Sequence, residues 1–302
     1  MNPSIEIKTE LSGRYKFKIS KPDGSVRLET DWMNNLITNR GLDQIGGTDG
    51  DVSLLPVCAV GTSNTPPAFT DTQLVTYLAS AGAISSTTTF VEGTPAYWRR
   101  VVVYRFSTGA AAGNLTEVGV GHSTVDLFSR ALIVDGGGSP TTITVLSDEV
   151  LDVTYELRSY INKSDINTTF TISGSVYTVL MRPDSIGTPP LIERSLNGHF
   201  GSSETQITAY SQNTLGTVYQ SVQGGGATPF TNGAWNAYVI GSYQKDATYT
   251  FALSNGNHTG GIGAFAIFCT QAKYQMSFSP KIPKAFFNVL TVMFRFSWGR
   301  YP

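Results

Sequence analysis

Charge is what this chain has least of. Charged residues make up 14% of its 302 positions, against roughly 25% in an ordinary soluble domain. The formal net charge is −1, so no overall field draws nucleic acid or an anionic membrane to the surface. Arg99-Arg100 has no wider basic region around it and reads as an ion-pair or subunit contact, not a nucleic-acid patch. Cysteine is nearly missing too. Cys58 and Cys269 are the two present, each among apolar neighbours, which excludes a disulfide framework and predicts two buried free thiols, with a single bridge as the alternative. That usage fits synthesis in a reducing cytoplasm. No run approaches the roughly 18 apolar residues of a membrane helix. The first residues alternate charged and apolar (Ile5-Glu-Ile-Lys8) and so do not resemble an export leader. A soluble chain without membrane insertion is expected.

Residues that carry chemistry are equally sparse. The three histidines, His122, His199 and His258, are scattered in polar loops with no second ligand at metal spacing. Asp126 and Asp135 lack the D-x-D-x-D pattern of a calcium loop. Gly119-Val-Gly121 and Gly136-Gly-Gly138 are followed by neither Gly-Lys-Ser/Thr nor a helix, so they read as turn glycines. No G-x-S-x-G elbow occurs. The densest carboxylate group is Asp148, Glu149 and Asp152. Asp152 and Glu156 share a strand face, where pairing with Arg158 or with water is a better reading than glycosidase chemistry. No catalytic residue, metal ligand or cofactor is expected, and the chain is read as a non-enzyme; a depolymerase is the remotest of the functions considered.

Threonine, serine, asparagine and 31 glycines take the place of the missing charge, together with 14 Tyr and 16 Phe. This is the composition of many short strands and tight turns. Arg14-Tyr-Lys-Phe-Lys-Ile-Ser20 and Val26-Arg-Leu-Glu29 alternate on either side of Lys21-Pro-Asp-Gly24, a strong hairpin signal. Short strands are predicted at Val57–Val60, Trp98–Phe106, Leu115–Val120, Leu127–Val134, Thr142–Val145 and Glu149–Tyr160. A hairpin follows at Thr168–Leu180, turning at Ser173-Gly174. Later strands are predicted at Ala237–Ile240, Thr248–Leu253, Ala264–Phe268 and Asn288–Trp298.

The best helix signal is Asp31–Gly46. Leu36, Ile37, Leu42 and Ile45 approximate one apolar face, Asn34 or Asn35 is the candidate cap, and Gly46-Gly47 ends the run. A weaker helix is predicted over Thr70–Ala79. The fold class is therefore all-β and mainly antiparallel: β-sandwich or jelly-roll-like domains with one or two short helices near the N-terminus. Residues 1–162 form an N-terminal sandwich in this reading, 163–190 a hairpin and connector, and 191–302 a C-terminal β-rich domain.

Two surface candidates follow. Trp235, Tyr238 and Tyr243, with Tyr249 and the amides of Asn232, Asn236 and Gln244 nearby, have the composition of a sugar-stacking face. Alternation into a sandwich core is the favoured reading of the same residues. The polar hairpin from Lys16 to Arg27 is a candidate arm for a neighbour's sheet edge, with Tyr15 and Phe17, like Arg99 and Arg100, as candidate subunit contacts.

Several motifs occur in order along the first half. Asn35-Leu-Ile-Thr-Asn-Arg-Gly-Leu-Asp43 is followed by Val60-Gly-Thr-Ser-Asn-Thr-Pro-Pro-Ala-Phe-Thr-Asp-Thr72. Next come Ala110-Ala-Ala-Gly-Asn-Leu-Thr-Glu-Val-Gly-Val120, Leu127-Phe-Ser-Arg-Ala131 and Thr142-Ile-Thr-Val-Leu-Ser-Asp-Glu149, which leads into Leu151-Asp-Val-Thr-Tyr-Glu-Leu157. Phe294-Arg-Phe-Ser-Trp298 lies near the end. Together these resemble a family of bacteriophage tail and tail-fibre-associated virion structural proteins. The resemblance covers Asp31 to Tyr160 and the closing strand; the stretch from Ser185 to Gly260 matches no family.

The resemblance implies a virion component made in the host bacterial cytoplasm: a tail, baseplate, collar or fibre-anchoring protein. Such a protein is expected to assemble as a homo-oligomeric ring or trimer with other virion tail proteins. The alternatives are a receptor-binding tail module that recognises host surface glycan through the second half, and a capsid decoration protein. The resemblance carries over no catalytic residue.

Overall fold

The computed structural model describes residues 5–48, 53–172, 174–184, 190, 192–196, 205–218, 220–228, 231–269 and 273–302. The first half holds β1 (Ile5–Ser20), β2 (Val26–Glu29), β3 (Met33–Asn34), β4 (Leu36–Ile37), α1 (Asn39–Ile45), β5 (Val57–Gly61), β6 (Tyr77–Val91), β7 (Ala96–Phe106), β8 (Gly113–Leu115), β9 (Glu117–Ser123), β10 (Asp126–Leu132), β11 (Ile143–Val145) and β12 (Val150–Ile161). The second holds β13 (Ile166–Ile172), β14 (Ser175–Pro183), β15 (Thr205–Tyr210), β16 (Thr231–Trp235), β17 (Gln244–Phe251), β18 (Ile262–Cys269), β19 (Lys273–Ile282) and β20 (Leu290–Arg300). The protein is all-β and mainly antiparallel.

Two layers make the first lobe. One runs β6–β7–β12–β1 and the other β6–β5–β9–β10–β4, so β6 passes from one layer into the other. Alternation along β1, β7 and β12 turns one face of each inward. Tyr15 on β1 reaches across the core, its hydroxyl 2.6 Å from Ser129 Oγ on β10. Tyr104 on β7 donates to Leu55 O at 2.7 Å.

The second lobe packs β16–β17–β20 against β15–β18–β19–β14–β13, with β16 paired into both layers. Its core is aromatic. Phe265 on β18 stacks on Phe251 with centroids 5.5 Å apart and meets Phe278 edge-on at 4.9 Å. Phe294 on β20 lies 6.0 Å from Phe170 on β13.

The lobes share a strand. The start of β1, Ile5 to Leu11, pairs parallel with β20, while Glu10 to Ser20 pairs antiparallel with β12. One continuous cluster of buried apolar side chains extends from Ile5 and Tyr15 through Phe265 to Trp298. The predicted hairpin at Thr168–Leu180 is built as β13–β14 and belongs to the second lobe through β14–β19 pairing. Ser173, at its expected turn, and residues 185–189 of the expected connector lie outside the described residues.

The helix is shorter than the pattern predicts. Leu36 and Ile37 form β4 and pair with Arg130 and Ser129 of β10, so only Leu42 and Ile45 of the expected face lie on α1. Its cap is Thr38, not Asn34 or Asn35: Thr38 Oγ1 accepts the Gly41 amide at 2.8 Å. Gly41 is required there, because a Cβ would come within 2.3 Å of Phe128 O. Gly46 and Gly47 do end the helix. No helix forms over Thr70–Ala79; its last residues begin β6. Ala237–Ile240 is not a strand either, but part of the loop joining β16 to β17. Among the described residues no helix is long and apolar enough to cross a membrane.

Candidate functional site

The densest buried chemistry is a charge junction in the first lobe. β9 and β10 are antiparallel neighbours with Arg130 opposite Gly119, which puts Glu117 diagonally across on the same face. Both side chains are enclosed, at 1% and 0% exposure. Arg130 Nη2 meets Glu117 Oε2 at 2.8 Å and its Nη1 meets Asp71 Oδ2 at 2.6 Å. The same guanidinium donates to Thr65 O and Pro66 O.

Glu117 accepts the amides of Ser63, Val75 and Thr76. Every nitrogen of the guanidinium is engaged, and the carboxylate is paired and hydrogen-bonded, which is what burying both charges demands. Gly61 completes the fit, since a Cβ would lie 2.3 Å from Thr76 O and 2.6 Å from Glu117 Oε1. The junction anchors the Pro66-Pro67 loop.

Other motif pieces meet the same wall. Thr38 Oγ1 donates to Leu127 O at 2.6 Å, and Asn39 N donates to Phe69 O at 2.7 Å. Arg40 pairs with Asp126 at 2.8 Å. From the closing strand, Arg300 donates to Ile37 O and Asn39 Oδ1, each at 2.7 Å, and lies 4.0 Å over the Phe69 ring. Trp298 Nε1 donates to Leu42 O at 2.8 Å.

The remaining sequence candidates are placed as follows. Three of the carboxylates pair with arginine, Glu149 with Arg27, Asp152 with Arg105, and Glu156 with both Arg14 and Arg158, while Asp135 accepts the amides of Gly137 and Ser139. The Arg27 guanidinium holds the Glu149 carboxyl below its ordinary range. His122 faces Ser53 O and His258 faces Ala209 O; His199 lies outside the described residues. Among the described residues no three His, Cys, Asp or Glu side chains group as metal ligands. Cys58 and Cys269 are free and buried, and burial pushes the Cys58 thiol well up.

Trp235, Tyr238 and Tyr243 do not form an open stacking face. All three are half-buried against the core. Trp235 meets Phe296 edge-on at 5.1 Å, and its indole N–H is buried. Tyr238 packs 5.7 Å from Trp298 and donates to Asp43 Oδ1 at 2.6 Å. Burial, and then that hydrogen bond, push its hydroxyl pKa up. With Lys245 Nζ donating to Gly46 O, these contacts fasten the β16–β17 loop to the end of α1.

Tyr15 and Phe17 are both 0% exposed, so neither side chain is available as a subunit contact; the alternation that suggested an outward arm turns them into the sandwich. Arg99 donates to Thr89, and Arg100 to Thr88 and Ser86 with Glu193 beside it. Both arginines are therefore engaged along β6 within the chain.

What sequence reading missed is a cleft of about 640 Å³ between the lobes. Tyr160, Tyr274, Tyr301, Glu6, Glu10 and Asn162 line it. Tyr301 stacks on Tyr160 with centroids 3.8 Å apart, and Ser12 Oγ lies 2.9 Å from the Tyr160 hydroxyl. No periodicity announces a cleft whose walls come from six separate strands and the segments between them. Comparison with family models, curated proteins and solved structures finds no match to this chain.

Proposed function

We propose that the chain is a structural subunit of a tailed-bacteriophage virion, a tail, baseplate, collar or fibre-anchoring component that works by packing and symmetric self-association. The observation that supports this reading is where the family-like motifs fall. Residues of Asn35–Asp43, Val60–Thr72, Ala110–Val120 and Leu127–Ala131 meet at the Arg130–Glu117–Asp71 junction and at the helix it flanks. Motifs spent on fixing a loop and a helix belong to a building block, whose work is to present a rigid surface. The test is to purify particles from lysate of cells expressing the chain during infection, and to localise it by mass spectrometry and immunogold labelling. Labelling at one end of the tail is expected. Recovery only in the soluble fraction overturns the reading.

A second reading, a glycan-recognising receptor-binding module, draws support from the inter-lobe cleft. Stacked Tyr160 and Tyr301 beside Glu6, Glu10 and Asn162 combine ring faces with hydroxyl-binding groups. Glycan binding abolished by Tyr301→Ala and retained by Trp235→Ala would favour it and move the recognition site away from the aromatics around Trp235.

A further inference from the structure

β6 is unlike the other long strands of the fold. β1, β7 and β20 bury alternate residues and β12 buries residues on both faces, but of the 15 residues of β6 only Ala79 is buried. Its first part, Tyr77 to Gly82, bonds to β5, and its second, Ala83 to Val91, to β7. Among the described residues β5 and β7 are the strands that pair with it, so among them one side of its backbone meets no strand. A row of unpaired amides and carbonyls is a template for another strand, and proteins blunt such edges with charge or proline. The outer strand of the β1–β2 hairpin, β2, is blunted in that way, by Arg27 and Glu29. From Tyr77 to Val91 there is no charged residue and no proline. Arg99 and Arg100 reach across from β7 to the hydroxyls of Thr89, Thr88 and Ser86, which holds the segment extended.

We propose that the Ala83–Val91 half of β6 pairs antiparallel with the same half of a second copy, about a two-fold axis at Thr87. An edge is its own complement in that arrangement, and only in it. The register also matches the side chains. Ser85 falls opposite Thr89 of the partner copy and Ser86 opposite Thr88, all hydroxyl pairs without a repelling charge. The two β6–β7–β12–β1 layers thereby become one sheet across the dimer. This gives the self-association named above a specific interface, but it rests on the edge alone and not on the virion reading.

The test uses the full-length protein. At the two-fold, paired Cα atoms lie about 4.5–5.5 Å apart, within disulfide reach, and both native thiols are buried. Under mild oxidation Thr87→Cys is expected to give a disulfide-linked dimer, whereas Thr169→Cys, on the exposed face of β13, is not. Thr87→Lys places like charges opposite each other and is expected to weaken dimerisation about tenfold or more in sedimentation. Its circular dichroism should stay unchanged, because Thr87 is exposed in the single chain. A wild-type protein that sediments as a monomer at all accessible concentrations overturns the proposal. So does a dimer indifferent to Thr87→Lys with no Thr87→Cys cross-link. A monomer nevertheless found in particles overturns this pairing and leaves the virion reading standing.

Discussion

The two lobes are held by different forces. In the first, charged side chains penetrate the interior: Arg130 and Glu117 are enclosed, and Glu149 and Glu156 are buried beside arginine partners. In the second, phenylalanine does the same work. Phe251, Phe265, Phe278 and Phe294 are all buried and in mutual ring contact, while the ion pairs described there, Arg182–Asp165 and Arg295–Asp246, are part-exposed. The difference teaches where specificity is concentrated. Apolar cores tolerate repacking, but a buried guanidinium accepts only the loop that satisfies it. The first lobe therefore fixes a loop path with buried charge, whereas the second does so with a neutral amide, Gln275, which bonds Gly216, Thr217 and Gln220.

Four substitutions test that contrast, from the largest expected effect to the smallest. Phe265→Ala should cost about 3–5 kcal/mol in urea unfolding, through a cavity ringed by aromatics. Arg130→Ala should cost a comparable amount, about 3–5 kcal/mol, by leaving Glu117 buried without its cation. It should also open residues 62–76 to limited proteolysis, which Phe265→Ala should not. If cleavage appears in both variants or in neither, the contrast is broken. Gly41→Ala drives a methyl group into the Phe128 carbonyl and should cost about 1–3 kcal/mol.

The smallest effect is a pH dependence. Hydrogen bonding to Arg27 lowers the folded pKa of Glu149, so the unfolded chain takes up this proton first. The stability it contributes is present above the unfolded value, about 4.3, and is lost as pH falls through the lower folded value. Because Arg27 is 33% exposed, the term should stay below about 1 kcal/mol. Urea midpoints measured from pH 6 to pH 3 should converge for wild type and Glu149→Gln at the acid end; parallel curves would remove the ion pair from the account.

Strands with one face in the core were legible because burial writes alternation into them; Leu151, Val153, Tyr155 and Leu157 of β12 are the clearest case, all at 0% exposure. β6 was illegible for the converse reason. With nearly all of its side chains exposed, β6 carries little period, and its first residues fall at the end of the weak helix read over Thr70–Ala79. Leu36 and Ile37 were assigned to the helix because two apolar residues fit either period until strand pairing decides. Tyr15 and Phe17 show the limit of alternation, which tells that a strand has two faces but not what covers them. The charge junction had a faint trace. Arg130 stands inside Leu127-Phe-Ser-Arg-Ala-Leu-Ile-Val134, a run that offers a guanidinium no polar side. Its partners Glu117 and Asp71 lie 13 and 59 positions away, beyond the reach of any local pattern.

The parallel pairing of β1 with β20 has a mechanical consequence. Ile5 lies opposite Phe294 and Leu11 opposite Arg300, so tension applied between Ile5 and Arg300 drags the two strands in opposite directions along their common axis. The backbone bonds between them are then strained together, in shear, rather than peeled apart one after another. Rupture of that clamp would be governed by the barrier to unfolding rather than by equilibrium stability. Under load the junction between the lobes would behave as a rivet.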